Sequence, residues 1–170
     1  MKASTDWAKA ELFSTPFFIL FGLIFLAASV GFWHLGKTDM ARAYIIPTLV
    51  AGVLLVIIGT GLFLTNKSRI GQFETAYRDD AISFVQAELE RAENTQKEYQ
   101  TIVFTAIPLI IAACALVLLF VDKPIWRASM ITSIAMLVVI LFVDGTAQAR
   151  IAAYQEQLVE FSKDQSTSKN

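Results

Sequence analysis

The sequence predicts an all-α membrane protein: four transmembrane helices arranged as two hairpins, with helical extensions on the cytoplasmic side. Three observations lead there. Of its 170 residues 55% are hydrophobic and only 17% charged, with a mean hydropathy of +0.56. An apolar excess of this size leaves too little polar surface to cover a water-soluble domain. The excess is also blocked, falling in residues 17–35, 44–64, 102–121 and 125–143. Each run is near the ~20 residues that carry a helix across ~30 Å of hydrocarbon. The only acidic or basic side chains within the runs, His34 and Arg127, lie close to their ends.

Residues 1–15 form a cytoplasmic N-terminal segment. Lys2 and Lys9 precede the first run and Ala27-Ala28-Ser29 resembles a cleavage site. The leader holds Asp6 and Glu11, however, and the apolar stretch continues to Leu35, so a retained helix is expected rather than a cleaved signal. Residues 16–65 make the first transmembrane hairpin. Ala27 and Gly31 in its first arm, and Gly52 and Gly59 in its second, are small-residue seams that let helix backbones approach closely, within the chain or between copies in a homo-oligomer. Pro47 lies just inside the second arm, where a missing backbone donor can kink a helix.

Residues 66–100 read as a cytoplasmic helical segment. Ile70, Phe73 and Tyr77 recur at helical spacing, then Asp79 or Asp80 can cap a new helix through its side-chain oxygen. In that helix Phe84, Val85, Leu89 and Ala92 share a face, with Glu88–Arg91 and Glu93–Lys97 as pairs on the solvated side. Residues 101–145 form the second hairpin, with Pro108 inside its first arm and a tight turn through Asp122-Lys123-Pro124. Ser129 and Ser133 mark another small-residue seam. Over residues 146–163 the stripe returns as Ile151, Tyr154, Leu158 and Phe161, and these are expected to pack with Ile70, Phe73, Tyr77, Phe84 and Leu89. Residues 164–170, polar and without apolar anchors, read as a disordered tail. The pairs Arg69-Ile70 and Arg150-Ile151, each following a hairpin, hint at a parallel duplication.

Four crossings put the N-terminus, the middle segment and the tail on one side. That side holds ten of the fourteen Lys and Arg residues; Lys37, Arg42, Lys123 and Arg127 lie opposite. The positive-inside rule makes the first side cytoplasmic. Trp33, Tyr44 and Trp126 then belong to the outer interfacial belt and Tyr99 to the inner one.

Little in the chain points to chemistry. His34 stands alone beside Trp33, and the single Cys114 sits among alanines, so no metal set or disulfide framework is available. No phosphate loop, nucleophile elbow or metalloprotease motif occurs, no cofactor is implied, and the net charge of −1 gives no reason to expect nucleic acid. Asp144 is the most interesting acid. It stands where the fourth run ends, with Arg69 and Arg150 as expected ion-pair partners and a structural role. The crossings are aliphatic at their midplanes, unlike a transporter or channel lining.

With catalysis disfavoured, function is expected from binding in the lipid bilayer. In its helix count and short outer loops the chain resembles small multi-pass bacterial inner-membrane immunity proteins, which protect a cell against pore-forming toxins. The resemblance implies lateral binding of a membrane-inserting toxin through a seam such as Ala27, Gly31, Gly52 and Gly59. The rival readings are a membrane adaptor whose cytosolic helices bind a soluble partner, and a small oligomeric channel or transporter subunit.

Overall fold

The computed structural model describes the backbone of residues 2–167 and the side chains of residues 4–160. Among the described residues every regular element is helical: α1 (Lys2–Ser14), α2 (Pro16–Leu35), α3 (Asp39–Ala43), α4 (Ile45–Asp79), α5 (Ala81–Glu98), a π-helical stretch (Tyr99–Ala106), α6 (Ile107–Leu118) and α7 (Pro124–Thr167). Four continuous helical stretches are long and apolar enough to cross a membrane. The 35 residues of α4 and 44 of α7 reach about 52 and 66 Å at 1.5 Å per residue, well beyond ~30 Å of hydrocarbon. Both therefore continue from the apolar segments into a polar bundle that also holds α1 and α5.

The breaks have local causes. At the elbow between α1 and α2, the Ser14 and Thr15 hydroxyls donate to the Glu11 carbonyl at 3.0 and 2.7 Å, and Pro16 opens α2 where its missing N–H costs nothing. Asp80 caps α5, accepting from the Ile82 and Ser83 amides at 3.0 and 3.1 Å and from the Ser83 hydroxyl at 2.6 Å. At the tight second turn, Arg127 Nη1 donates to the Val121 and Leu118 carbonyls, so this charge satisfies the end of α6.

The two prolines behave differently from the expected kinks. Helix α4 starts at Ile45, which puts Pro47 in the first turn, where the amides have no intrahelical partner anyway. Pro108 follows the π-helical stretch. Its ring cannot donate to residue 104 and crowds that carbonyl, and the chain responds by widening: the Ile107 amide reaches back five residues to the Ile102 carbonyl. The tail also departs from expectation. Helix α7 runs to Thr167, past the start of the segment expected to be disordered, because extending an existing helix adds a backbone bond per residue without a new nucleus. The remaining tail residues lie outside the described ones.

Two cores hold the bundle. In the apolar half, Phe18, Leu55 and Val143 from α2, α4 and α7 are buried, with Phe21, Phe25, Met136, Val139 and Ile140 around them. In the polar half, Phe73, Phe84, Val85, Ala92, Ile151, Tyr154 and Leu158 form one cluster, and Ile70, Tyr77 and Leu89 pack against it. Each large side chain removed from water there stabilises the bundle by roughly 1.5–3 kcal/mol. The structure thus brings the two apolar stripes together. Phe161 lies outside the described side chains. The cluster also takes in Trp7 and Ala8 from α1, a helix the sequence reading left unplaced.

Helix α6 is the outlier. It packs on α7 and continues the π-helical stretch, but among the described residues it touches neither α2 nor α4. Leu109, Leu116 and Phe120 are largely exposed, a surface suited to lipid.

Candidate functional site

The small-residue seams divide into one that is occupied and two that are open. Helices α2 and α4 run antiparallel in close contact. A methyl group on Gly52 would lie 2.9 Å from the Gly22 carbonyl oxygen and 2.8 Å from Leu26 Cγ, and one on Gly59 2.9 Å from Phe18 Cβ. Ser29 pins the far end by donating to the Ile45 carbonyl at 2.8 Å. Gly52 and Gly59 thus serve close packing within the chain, one of the two uses expected of them, and are covered by α2 rather than open to a partner. Their counterpart Gly22 was not singled out from the sequence, since an isolated glycine in an apolar run carries no register. Gly31 has no neighbour within 4 Å of where a methyl would stand, and Ala27 is exposed; both face outward.

Ser129 and Ser133 lie in the second open seam, a groove of about 480 Å³ between α4 and α7. Pro47, Val50 and Leu54 form one wall and Ser129, Thr132 and Met136 the other; no α6 residue lines it. The Ser129 hydroxyl donates to its own helix, to the Ile125 carbonyl at 2.8 Å. The Thr132 and Ser133 hydroxyls have no hydrogen-bond partner among the described residues. Thr132 is nonetheless only 4% exposed. In an apolar segment such hydroxyls gain from a partner that hydrocarbon cannot supply.

At the polar end, a hydrogen-bonded network ties α5 and α7 to α1. Arg91 Nε donates to Glu88 Oε1 at 3.0 Å and its Nη2 to Glu88 Oε2. The Tyr154 hydroxyl donates to Glu88 Oε2 at 2.6 Å, and with its proton so used it accepts from Ser4 at 2.9 Å. Trp7 stacks on Tyr154 with ring centroids 5.3 Å apart, and the Arg91 guanidinium lies 4.5 Å over the Trp7 ring. Burial and then the bond to Glu88 push the Tyr154 phenol well above its ordinary value. Burial opposes the Arg91 charge, but the bond and charge of Glu88 outweigh it and raise the guanidinium. Glu88 and Arg91 are not on a solvated face, as the spacing suggested: α1 covers them. Glu93–Lys97 does stand exposed, at 2.8 Å.

The ion pairs expected of Asp144 do not form. Arg150 Nε instead donates to Glu11 Oε1 at 3.0 Å and its Nη2 to Ser14 at 2.8 Å. Six residues separate Asp144 from Arg150, which turns them to different faces of α7. Neither Asp144 nor Arg69 has an ion-pair partner among the described residues. Both line a second cavity, of about 350 Å³, where the apolar segments meet the polar bundle. Two partly buried residues line it as well: Tyr99, expected at an inner belt, and Arg91. Ser4, Trp7 and Glu11, which build this end of the molecule, share a helical stripe with Ala8 and Ser14 that was legible in the sequence.

Elsewhere His34 stacks on Trp33 at 6.4 Å with both rings exposed, and Tyr44 stacks on Phe32 at 5.1 Å. Among the described residues no group of His, Cys, Asp and Glu side chains has the arrangement to hold a metal ion. Comparison with protein-family models, with characterised proteins and with solved structures finds no match, so the functional reading rests on the site itself.

Proposed function

We propose that the chain is a non-enzymatic receptor for a membrane-embedded helix, acting as an immunity protein that neutralises a pore-forming toxin by lateral binding in the bacterial inner membrane. One observation carries the reading: the groove between α4 and α7 holds the unpartnered Thr132 and Ser133 hydroxyls and is left uncovered by α6. An inserted helix laid there gains close packing against Ala51 and Ser129, and its own hydroxyl or amide side chains meet hydroxyls that lipid cannot satisfy. Blocking a pore in this way needs affinity and no chemistry. Both chain ends are cytoplasmic in this scheme, from the ten-to-four split of Lys and Arg, so the groove opens in the outer leaflet, where an arriving toxin enters.

The adaptor reading loses its main support, because the apolar stripes it would offer to a soluble partner pack against each other. The test is co-expression, in a susceptible strain, with a membrane-active protein encoded beside this chain. Wild type should restore growth, and Ser133→Trp, which fills the groove, should abolish protection at undiminished membrane levels. Full protection by a filled groove would sink the proposal.

A further inference from the structure

The cavity at the foot of the apolar segments has the chemistry of a binding site. Its floor, toward the apolar segments, is Leu62, Ile102 and Val103; its polar lining includes Asn66, Arg69, Glu98 and Asp144. Asn66 is 6% exposed and its amide makes no hydrogen bond among the described residues. The Trp7 indole N–H, in a side chain 8% exposed, is buried without a partner. Native proteins rarely leave a buried donor such as this indole N–H unmet, and the Asn66 amide, which borders the cavity, is free to bond what enters it. Arg69 and Arg91 share the cavity, and only Arg91 has a carboxylate. Burial, and then the charge of Arg91, hold the Arg69 guanidinium below its ordinary value, opposed in part by Glu88. An oxyanion beside Arg69 relieves that repulsion and meets the Asn66 amide. Asp144 and Glu98 add acceptors suited to a cation.

A phosphate and an ammonium on one ligand, above an apolar floor, describe one class of molecule. We infer that this cavity binds the headgroup of a zwitterionic phospholipid with a primary ammonium, its phosphate on Arg69 and Asn66, its ammonium on Asp144 and Glu98, and its acyl chains along Leu62 and Ile102. The π-helical stretch, Tyr99–Ala106, carries Tyr99, Ile102 and Val103 of the lining. A wide turn of helix shapes this wall, as such turns frequently do at functional sites.

Native mass spectrometry of the full purified chain in detergent tests the assignment, using phosphatidylethanolamine, phosphatidylcholine and phosphatidylglycerol with identical acyl chains. Phosphatidylethanolamine should bind about tenfold more tightly than the other two, the worth of a charge-assisted hydrogen bond. Arg69→Gln should weaken all three lipids about tenfold, with Arg69→Lys intermediate as a check should the first variant fold poorly. Asp144→Asn should bring phosphatidylethanolamine down to the level of phosphatidylglycerol and leave the latter unchanged. Soluble glycerophosphoethanolamine, which lacks the chains, should fail to compete. If it binds as well as the lipid, the ligand is a free phosphate ester and the lipid assignment falls. Equal retention of the three lipids, or wild-type binding by well-folded Arg69 and Asp144 variants, overturns the site altogether.

Discussion

Replacing Gly52 with alanine adds one methyl group where α2 and α4 come closest, and the structure gives the consequence a sign. The new carbon would stand 2.9 Å from the Gly22 carbonyl oxygen and 2.8 Å from Leu26 Cγ. The first of these is backbone, so side-chain rotation cannot relieve it and the helices must separate. Overpacking of this kind costs about 1–3 kcal/mol. Alanine is also the better helix former by about 1 kcal/mol, which offsets part of the loss. The net expectation is a destabilisation of up to about 2 kcal/mol. Gly31→Ala meets nothing within 4 Å and should be neutral or slightly stabilising. Gly22→Ala would meet the Gly52 carbonyl oxygen at 2.9 Å, the reciprocal contact. The Gly22→Ala/Gly52→Ala double variant should therefore cost less than the sum of its parts, because one separation of the helices accommodates both methyls. Thermal unfolding in a mild detergent, read by circular dichroism, measures all four proteins. A Gly52→Ala protein at least as stable as wild type, with Gly31→Ala clearly weakened, would show that the register is wrong.

Other expectations follow from the polar half. Tyr154→Phe removes a donor to buried Glu88 and should cost about 1–3 kcal/mol. It should also change the alkaline limb: with the folded phenol raised, its contribution is complete below the unfolded tyrosine value of about 10 and is lost as pH rises toward the folded value. The Phe variant should lack that part of the loss in a pH-dependent melting series. Arg150→Ala leaves Glu11 largely buried and unpaired; with the pair partly screened, about 1–3 kcal/mol is expected. Amide exchange should then rise first in α1, and uniform exchange across the bundle would contradict its docking. Asp80→Ala should speed exchange at the start of α5. Its carboxyl is held below the ordinary value, first by the Ser83 hydroxyl, so the cap's contribution is present above the unfolded value and lost as pH falls through the folded one. An acid limb unchanged in the variant would remove Asp80 from the account.

Much of this architecture is written locally. Four uninterrupted apolar runs and the stripes Ile70–Phe73–Tyr77 and Ile151–Tyr154–Leu158 are one-dimensional patterns, and helix geometry alone turns them into faces. The rest depends on which face meets which. Glu88 looked solvated because its i,i+3 partner Arg91 suits a wet surface; only the docking of α1 makes the pair internal. Trp7 and Ser4 belong to a readable stripe, yet the charges around them, Lys2, Asp6, Lys9 and Glu11, give the segment the look of a solvated leader. Asp144 had two arginines at plausible sequence distance, and rotation about α7 denied it one while Glu11 took that one up. The separation of α6 from α4 leaves no trace in the sequence, since a lipid-facing helix and a buried membrane helix have the same apolar composition.

The most direct test of the groove places a photo-crosslinking residue at Ser133, and separately at Gly31, in cells that also express the membrane-active protein encoded beside this chain, the toxin of the proposed function. Both positions lie on open seams in apolar segments, but only Ser133 lines the groove. Illumination should join the toxin to position 133 and leave position 31 unreacted. Adducts from position 31 alone would assign recognition to the outer face of α2 and contradict the account.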